Sequence, residues 1–385
     1  MAEGFRNFRV AGKVPESEII TSFYLEPNDG APVWNVKPGQ YLTLRVPSAG
    51  GPVLKTYSVS CDPSITGHHR ISVKREAGSN GAPDGVGSCW LHDHVEIGST
   101  VEVAAPRGTF VLDETSTRPV LLLSGGVGLT PLVSMLHRLR ESERDVYFLH
   151  ACENGQVHAL HEEVLACSSE RIQTRFVYRS PSAADRAANL FDAEGMIDKA
   201  LMQKYVPIGD YDAYICGPTP FMVAMYQLLQ ELGVRKSRIS YEFFGKAASL
   251  EALAETPARP APVKAASHAA PTIQALRFLT DPDAWAADEA PENTRKTATL
   301  PAGDVTFRKS NTSAEWDGSA NSLLELAENA GLNPEFSCRA GICNSCKCGL
   351  VSGDVEYFEV PLIQPEDGQV LICCSRPKGP VVLDI

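Results

Sequence analysis

A chain of 385 residues with a formal charge of -12 is long enough for two or three domains, each with its own core, and too acidic to offer nucleic acid a phosphate-neutralising surface. Its strongly apolar runs, such as Val120 to Leu123, fall far short of the roughly 20 residues a membrane helix needs, and the opening Met-Ala-Glu-Gly-Phe-Arg lacks the basic-then-apolar order of a secretory leader. The expectation is a cytoplasmic protein in a reducing compartment, whose 11 cysteines serve metal binding, catalysis or inert burial rather than disulfides.

Residues 1–114 read as short strands between turns. The runs "QYLTLRV", "KTYSVS", "RISVKRE", "TVEVAAP" and "GTFVL" alternate with period two, which points to an antiparallel β-barrel or sandwich. Residues 115–245 change to strand, helix, strand: "PVLLLS", a glycine turn and "PLVSMLHRLR"; then "DVYFLHA", "HALHEEVLA", "IQTRFVYR", "YDAYICG", "PFMVAMYQLLQELG" and "RISYEFFG". Such alternation implies a parallel sheet covered by helices. Residues 246–296 hold 15 alanines and 6 prolines in 51 positions and read as a linker, with a short helix near "IQALRFL".

The remaining stretch, 297–385, carries 12 acidic and 6 basic side chains, an imbalance suited to docking on a basic partner surface. Ser322 and Glu325 predict a capping box, leucines 323, 324 and 326 an inward helix face, and Gly331 a C-terminal stop. A cysteine-rich loop follows. Cys338, Cys343 and Cys346 have the spacing C-x4-C-x2-C, and "LICCSRP" supplies a distant fourth thiolate; this is the plant-type ferredoxin spacing for a 2Fe-2S cluster. Four thiolates complete the tetrahedra of two sulfide-bridged irons, while Ala340, Gly341 and Ser345 keep the loop small enough for its amides to reach them. A structural zinc would also take four soft ligands, but zinc ribbons pair two short hairpins, whereas here three ligands share one loop.

Residues 297–385 thus resemble a plant-type ferredoxin, an α+β domain of the β-grasp type. In that family the last ligand stands four residues before a proline, so Pro377 selects Cys373, and strand alternation sends Cys374 to the other face. Cys348 reads as a packed thiol, as do the isolated Cys61, Cys89, Cys152, Cys167 and Cys216.

The turn on Gly125, Gly126 and Gly128, with Thr130 as expected N-cap and Pro131 at the first helical position, suits a pyrophosphate facing a helix N-terminus. A second strand-to-helix turn, Cys216, Gly217 and Pro218, would lie beside it in a parallel sheet. Together they resemble the nicotinamide-nucleotide half of the ferredoxin-NADP reductase family. "KTYSVS" resembles that family's Arg-x-Tyr-Ser signature, which implies that residues 1–114 are its flavin-binding β-barrel, with Tyr57 stacked on the flavin ring and Ser58 near its reactive nitrogen. Lys55 departs from the signature, replacing a bidentate fork at the flavin phosphates with a point charge. The resemblance further places Ser72, Val73 and Lys74 beside the flavin, and Gly85, Gly87 and Ser88 in a pyrophosphate turn. "YEFFG" resembles the segment covering the other flavin face, with Phe243 or Phe244 in that place or in the core. Glu242 is either a proton-transfer group or a solvated strand carboxylate. Of the histidines, His92 and His94 flank a turn and His158 and His161 share a helix face, with no third metal ligand evident.

The wording is closest to the reductase part of flavohaemoglobins; no globin precedes it in this sequence, so nitric oxide dioxygenation is not implied. The fusion resembles reductase components of multicomponent oxygenases, particularly Rieske-type. A nicotinamide gives two electrons as hydride and the cluster takes one, and a flavin, FAD or alternatively FMN, converts between them. The expected path runs from NADH, or alternatively NADPH if Arg179 binds a 2'-phosphate, through flavin and 2Fe-2S to an oxygenase docked on the acidic ferredoxin. A free-standing ferric or flavin reductase and a redox-sensing flavo-iron-sulfur protein are the alternatives. Neither nucleic acid nor a membrane is an expected partner.

Overall fold

The structure, a computed structural model, describes residues 5–78, 84–244, 250, 303–336, 341, 344–361 and 364–385. The expected linker helix near "IQALRFL" lies outside the described residues.

The first module contains β1 (Phe5–Pro15), β2 (Ile20–Pro27), β3 (Tyr41–Val46), β4 (Val53–Ser58), β5 (His69–Lys74), α1 (Val86–His94) and β6 (Thr100–Arg107). The strands run antiparallel in the order β4-β3-β6-β1-β2-β5. A bridge between Val59 and Ile71 joins the two ends, so the sheet closes into a barrel around Phe8, Phe23, Leu42, Leu44 and Ile71. The alternation of "QYLTLRV", "KTYSVS", "RISVKRE" and "TVEVAAP" is realised as β3 to β6. In β1 the register shifts between Val10 and Gly12, a bulge that breaks the period.

"GTFVL" is not a strand. Gly108, at φ +116, turns the chain out of the sheet, and Phe110 and Leu112 join the core of the next module. Phe110 there meets the ring of Tyr214 edge-on at 5.9 Å.

The second module holds β7 (Val120–Gly125), α2 (Leu129–Leu139), β8 (Val146–Cys152), α3 (His161–Ala166), β9 (Ile172–Tyr178), α4 (Ala183–Ala188), β10 (Ala193–Glu194), α5 (Lys199–Tyr205), β11 (Asp212–Cys216), α6 (Thr219–Glu231) and β12 (Ile239–Glu242). All strands are parallel, in the order β10-β9-β8-β7-β11-β12. One apolar layer packs α2 and α3 on the sheet and another packs α5 and α6 on its opposite face. After β10 the chain crosses to the other side of β7, so the switch point of the sheet lies between β7 and β11, where α/β folds bind ligands.

The third module holds β13 (Gly303–Phe307), β14 (Thr312–Trp316), α7 (Leu323–Asn329), β15 (Lys347–Ser352), β16 (Val355–Tyr357), β17 (Gln369–Leu371), β18 (Ser375–Pro377) and β19 (Val381–Leu383). Its sheet, β14-β13-β19-β15-β17, is mixed, with β13 and β19 parallel. Leu323, Leu324 and Leu326 of α7 are buried against it, as their spacing predicts. Ser322 Oγ accepts from the Glu325 amide at 3.2 Å, but the Glu325 carboxylate accepts from the Asn321 amide instead of Ser322, so half of the expected capping box forms. Gly331, at φ +80, ends the helix, and the Leu332 amide reaches back to the Ala327 carbonyl at 3.0 Å.

Candidate active site

The two strand-to-helix turns of the second module touch. A side chain at Gly128 would place its Cβ 2.3 Å from the Cys216 carbonyl oxygen, and one at Gly217 would place its Cβ 3.0 Å from the Gly125 nitrogen. Glycine is what lets Gly125 and Gly128 approach Cys216, Gly217 and Pro218 so closely, while Gly126 serves the turn through its left-handed φ of +52. The helix starts differ from expectation in one respect. α2 begins at Leu129 with Gly128 as its N-cap; Thr130 lies inside the first turn, its hydroxyl donating to the Val127 carbonyl at 3.1 Å, and Pro131 is the third helical residue. The spare N-H groups of this end are therefore not covered by a side-chain cap. α6 begins at Thr219 after Pro218, with proline in its first turn.

Beside this point a cavity of about 1170 Å³ opens between the three modules. Lys55, Tyr57, Ser58, Ser72, Val73 and Lys74 of the barrel line it, with Gly85, Gly87 and Ser88 around the start of α1. Thr130, Glu242, Phe243 and Phe244 contribute from the second module, and Phe358, Glu359, Cys373 and Arg376 from the third. The turns at Gly125 to Gly128 and Cys216 to Pro218 supply the adjoining switch point, with Val127 reaching the cavity wall.

Local sequence explains how these groups are held. β4 carries Lys55 exposed, Tyr57 half-buried and Ser58 buried. A Cβ at Gly87 would lie 2.6 Å from both Lys55 Cγ and Tyr57 Oη, so glycine keeps α1 against the strand. Burial raises the Tyr57 phenol above its ordinary range, and the nearby Cys89 thiol adds to this. On β5, Ser72 shares its hydroxyl with Ser22 at 2.7 Å and Ser60 at 2.8 Å, Val73 gives its carbonyl to His92 Nε2 at 2.9 Å, and Lys74 pairs with Glu76 at 3.0 Å. Ser88 Oγ accepts from the Glu76 amide at 3.2 Å, tying α1 to the end of β5.

Glu242 ends β12, in register with Cys216 of β11. Burial pushes its carboxyl up to about 8, with the Ser58 hydroxyl pulling the other way. Yet neither Glu242 Oε2 nor Ser58 Oγ has a hydrogen-bond partner, so Ser58 stands close to Glu242 without bonding to it. Glu242 as a whole is half-buried on the cavity wall, with its Oε2 out of contact with solvent. Burial also drives the Cys216 thiol well above its usual range, with Glu242 contributing. Of the two aromatic candidates, Phe243 packs into the core and meets Tyr241 edge-on at 5.7 Å, while Phe244 is exposed at the cavity.

The space fits a flavin: its volume is that of a cofactor cleft, glycines cradle one wall, and two buried polar atoms await partners. In the third module, Cys338 and Cys343 lie outside the described residues. Cys346 and Cys373 are each 3% exposed within one core, and the Gly341 amide donates to Cys373 Sγ at 3.3 Å, the amide-to-sulfur contact expected around an iron-sulfur cluster. Residues 372–374 form a 3-10 turn rather than a strand, so face alternation does not separate Cys373 from Cys374. Instead Cys373 lines the cavity, whereas Cys374 is fully buried, its thiol directed at the Leu371 carbonyl at 3.6 Å.

Three family profiles match in succession: "Oxidoreductase FAD-binding domain" over residues 8–112, "Oxidoreductase NAD-binding domain" over 122–227 and "2Fe-2S iron-sulfur cluster binding domain" over 305–378. The FAD- and NAD-binding domain of a Vibrio cholerae nitric oxide dioxygenase is 37% identical, with a TM-score of 0.56, and this chain covers 99% of it and aligns over 63% of its own length. The chain belongs to the FAD- and NAD-binding oxidoreductase family. Flavohaemoproteins of Bacillus thuringiensis subsp. konkukian, 44% identical over 253 residues, and Bordetella pertussis, 45% over 248, are similar to 64% and 63% of this oxidoreductase. The chain spans 62% and 61% of those two relatives. Phthalate dioxygenase reductase, a modular structure for electron transfer from pyridine nucleotides to a 2Fe-2S centre, shares the fold over 99% of this chain and 98% of its own, at 24% identity and a TM-score of 0.52.

The oxidoreductase thus carries FAD-binding, NAD-binding and 2Fe-2S modules. Among the described residues no helix is long and apolar enough to cross a membrane. What sequence reasoning missed is the third module's share of the cavity wall, Phe358, Glu359 and Arg376. Their contact with the barrel, where Arg107 donates to the Val360 carbonyl at 2.5 Å and the Gly108 amide to Glu359 at 3.3 Å, joins positions more than 250 apart and leaves no local signal.

Proposed function

We propose that this oxidoreductase takes electrons from NADH, passes them through FAD in the three-module cavity to a 2Fe-2S cluster on Cys338, Cys343, Cys346 and Cys373, and delivers them singly to a partner oxygenase of the Rieske type. The modules would divide at residues 1–114, 115–245 and 297–385, with 246–296 as linker. One observation carries the reading: Cys373 lines the same cavity as Tyr57, Ser58 and Glu242, so the expected cluster ligand and the flavin residues share a wall.

The bound flavin would supply the conversion of a hydride pair into single electrons. The chain's own residues do the rest. Tyr57 and Phe244 would bracket the ring, Lys55 and Ser88 would meet the phosphates with the α1 N-terminus, and the Gly125–Gly128 and Cys216–Pro218 turns would seat the dinucleotide. Glu242, protonated below about pH 8, would hold a proton at Oε2 and pass it by way of Ser58 Oγ. Arg179 is exposed and sits 3.8 Å from Glu153; the carboxylate would repel a 2'-phosphate, which supports NADH over NADPH. The acidic third module would dock on a basic oxygenase face.

Anaerobic titration with NADH, followed by visible absorption and electron paramagnetic resonance, tests the relay. The wild-type protein is expected to bleach its flavin and then develop the cluster signal. Cys346→Ser should keep flavin reduction and lose both the cluster signal and delivery to an oxygenase. Full turnover of ferric chelates by Cys346→Ser, with no oxygenase accepting electrons from the wild type, would favour a free-standing reductase instead.

A further inference from the structure

We propose that His150, Cys152 and His158 form a second metal site, separate from the iron-sulfur ligands, that binds one thiophilic divalent cation, zinc, at the carboxyl end of β8.

Sequence placed His158 on a helix face with His161 and saw no third ligand. The structure differs because His158 precedes α3. β8 ends "HAC", and strand alternation puts His150 and Cys152 on one face. The chain then turns through residues 155–157, where Asn154 caps the turn by accepting from the Gln156 amide, and returns His158 onto that face. The His150 and His158 rings lie 4.6 Å apart with 30° between their planes. His Nε2 or Nδ1 and Cys Sγ atoms of the three residues lie within 4.8 Å of one another.

A second observation points to a ligand. His150 is 1% and His158 5% exposed, and both are half-satisfied in the same way. His150 Nδ1 bonds Ser124 Oγ at 2.8 Å and His158 Nδ1 bonds Tyr178 Oη at 2.8 Å, while both Nε2 atoms are buried without a hydrogen-bond partner. A buried imidazole ordinarily satisfies both nitrogens. If each Nδ1-H donates to its hydroxyl, each Nε2 keeps a lone pair, the tautomer a metal requires, fixed from outside the coordination sphere as in known zinc sites.

Two imidazoles and a thiolate are a zinc donor set, with Zn-N near 2.1 Å and Zn-S near 2.3 Å. A tetrahedral centre separates such donors by about 3.5 Å, so loading would draw the three atoms closer by about 1 Å. Zinc displaces the Cys152 thiol proton to solvent and leaves a fourth position for water. The His161 ring stands perpendicular to that of His158, 4.8 Å away. The site would clamp the end of β8 to the segment leading into α3, the helix that carries Glu163 across to the barrel.

The test uses the full chain loaded with flavin and cluster, iron and labile sulfide being counted before and after. It is equilibrated with zinc chloride, desalted and analysed for zinc, and a chromophoric chelator then gives the affinity. One zinc per chain, with iron unchanged, is expected. Cys152→Ser should weaken zinc binding at least tenfold, the loss that even an outer-sphere change produces, and should keep NADH-driven dye reduction. Cobalt in the wild type should give a thiolate-to-metal band that Cys152→Ser loses. A wild type that takes up no zinc, or binds it with the same affinity after Cys152→Ser and His158→Gln, overturns the proposal and leaves the pair as packed core histidines.

Discussion

Where the barrel meets the nucleotide module, Arg70 of β5 donates to both carboxylate oxygens of Glu163 on α3 at 2.6 and 2.7 Å, and His137 of α2 adds Nε2 at 2.6 Å. The Arg70 side chain is 7% exposed. Where the barrel meets the ferredoxin, Arg107 donates to the Val360 carbonyl at the surface and the Gly108 amide donates to Glu359 in a part-buried contact. One junction is a part-buried, bidentate, charge-assisted network; the other shows two single hydrogen bonds, one exposed and one part-buried. The difference matches the two tasks. Hydride transfer needs a fixed geometry between nucleotide and flavin, whereas a cluster that serves an external acceptor, as proposed above, would gain from a junction that opens easily.

The largest expected effect follows from breaking the first junction. Removing one partner of a buried pair leaves the other charged and unpaired, at about 3–5 kcal/mol, so Glu163→Ala should lower the first unfolding transition in denaturant by that amount and leave the cluster intact. Acid should do the same. Burial opposes ionisation of Glu163, but the hydrogen bonds from His137 and Arg70 outweigh it and hold the carboxyl down at about 2, against an ordinary 4.5. Its contribution is therefore present above pH 4.5 and lost as pH falls through about 2. A junction as strong in Glu163→Ala as in the wild type would remove the contrast.

The next effect is smaller. Proton transfer by a positioned group contributes 10²-fold or more, so Glu242→Gln should slow NADH-driven turnover about 10²-fold. In the wild type, activity should fall as pH rises through about 8, where Glu242 loses its proton; the variant should show no inflection there. The sign for stability is set by the same shift. A raised carboxyl contributes stability that is present below pH 4.5 and lost as pH rises through about 8.

Much of this was readable in the sequence. The cysteine spacing, the two glycine turns and the Tyr-Ser pair are local patterns, each tied to a chemistry that needs adjacent residues, and the parallel sheet and barrel follow from hydrophobic period. β1 resisted because its bulge breaks the period, and "GTFVL" misled because Phe110 and Leu112 obey a different module's core. Glu242 could not be settled from sequence. Its pKa depends on enclosure by a strand neighbour, Cys216, and a barrel residue, Ser58, far away in the chain. The His150, Cys152 and His158 grouping was hidden for a related reason: a short turn, not a helix, brings the third residue back.

The smallest effect belongs to the second junction. An exposed polar contact is worth about 1 kcal/mol or less, so Arg107→Ala should slow transfer from flavin to cluster by no more than about fivefold, the factor that 1 kcal/mol makes in an equilibrium. Reduction of the flavin by NADH, followed in the same stopped-flow trace, should be unchanged, because Arg107 touches neither nucleotide turn. A collapse of cluster reduction in Arg107→Ala would show that the ferredoxin is held as firmly as the nucleotide module, and a loss of flavin reduction would show that the two junctions are coupled. The predicted outcome, a modest slowing confined to the second step, is the one in which the barrel grips one module and only steadies the other.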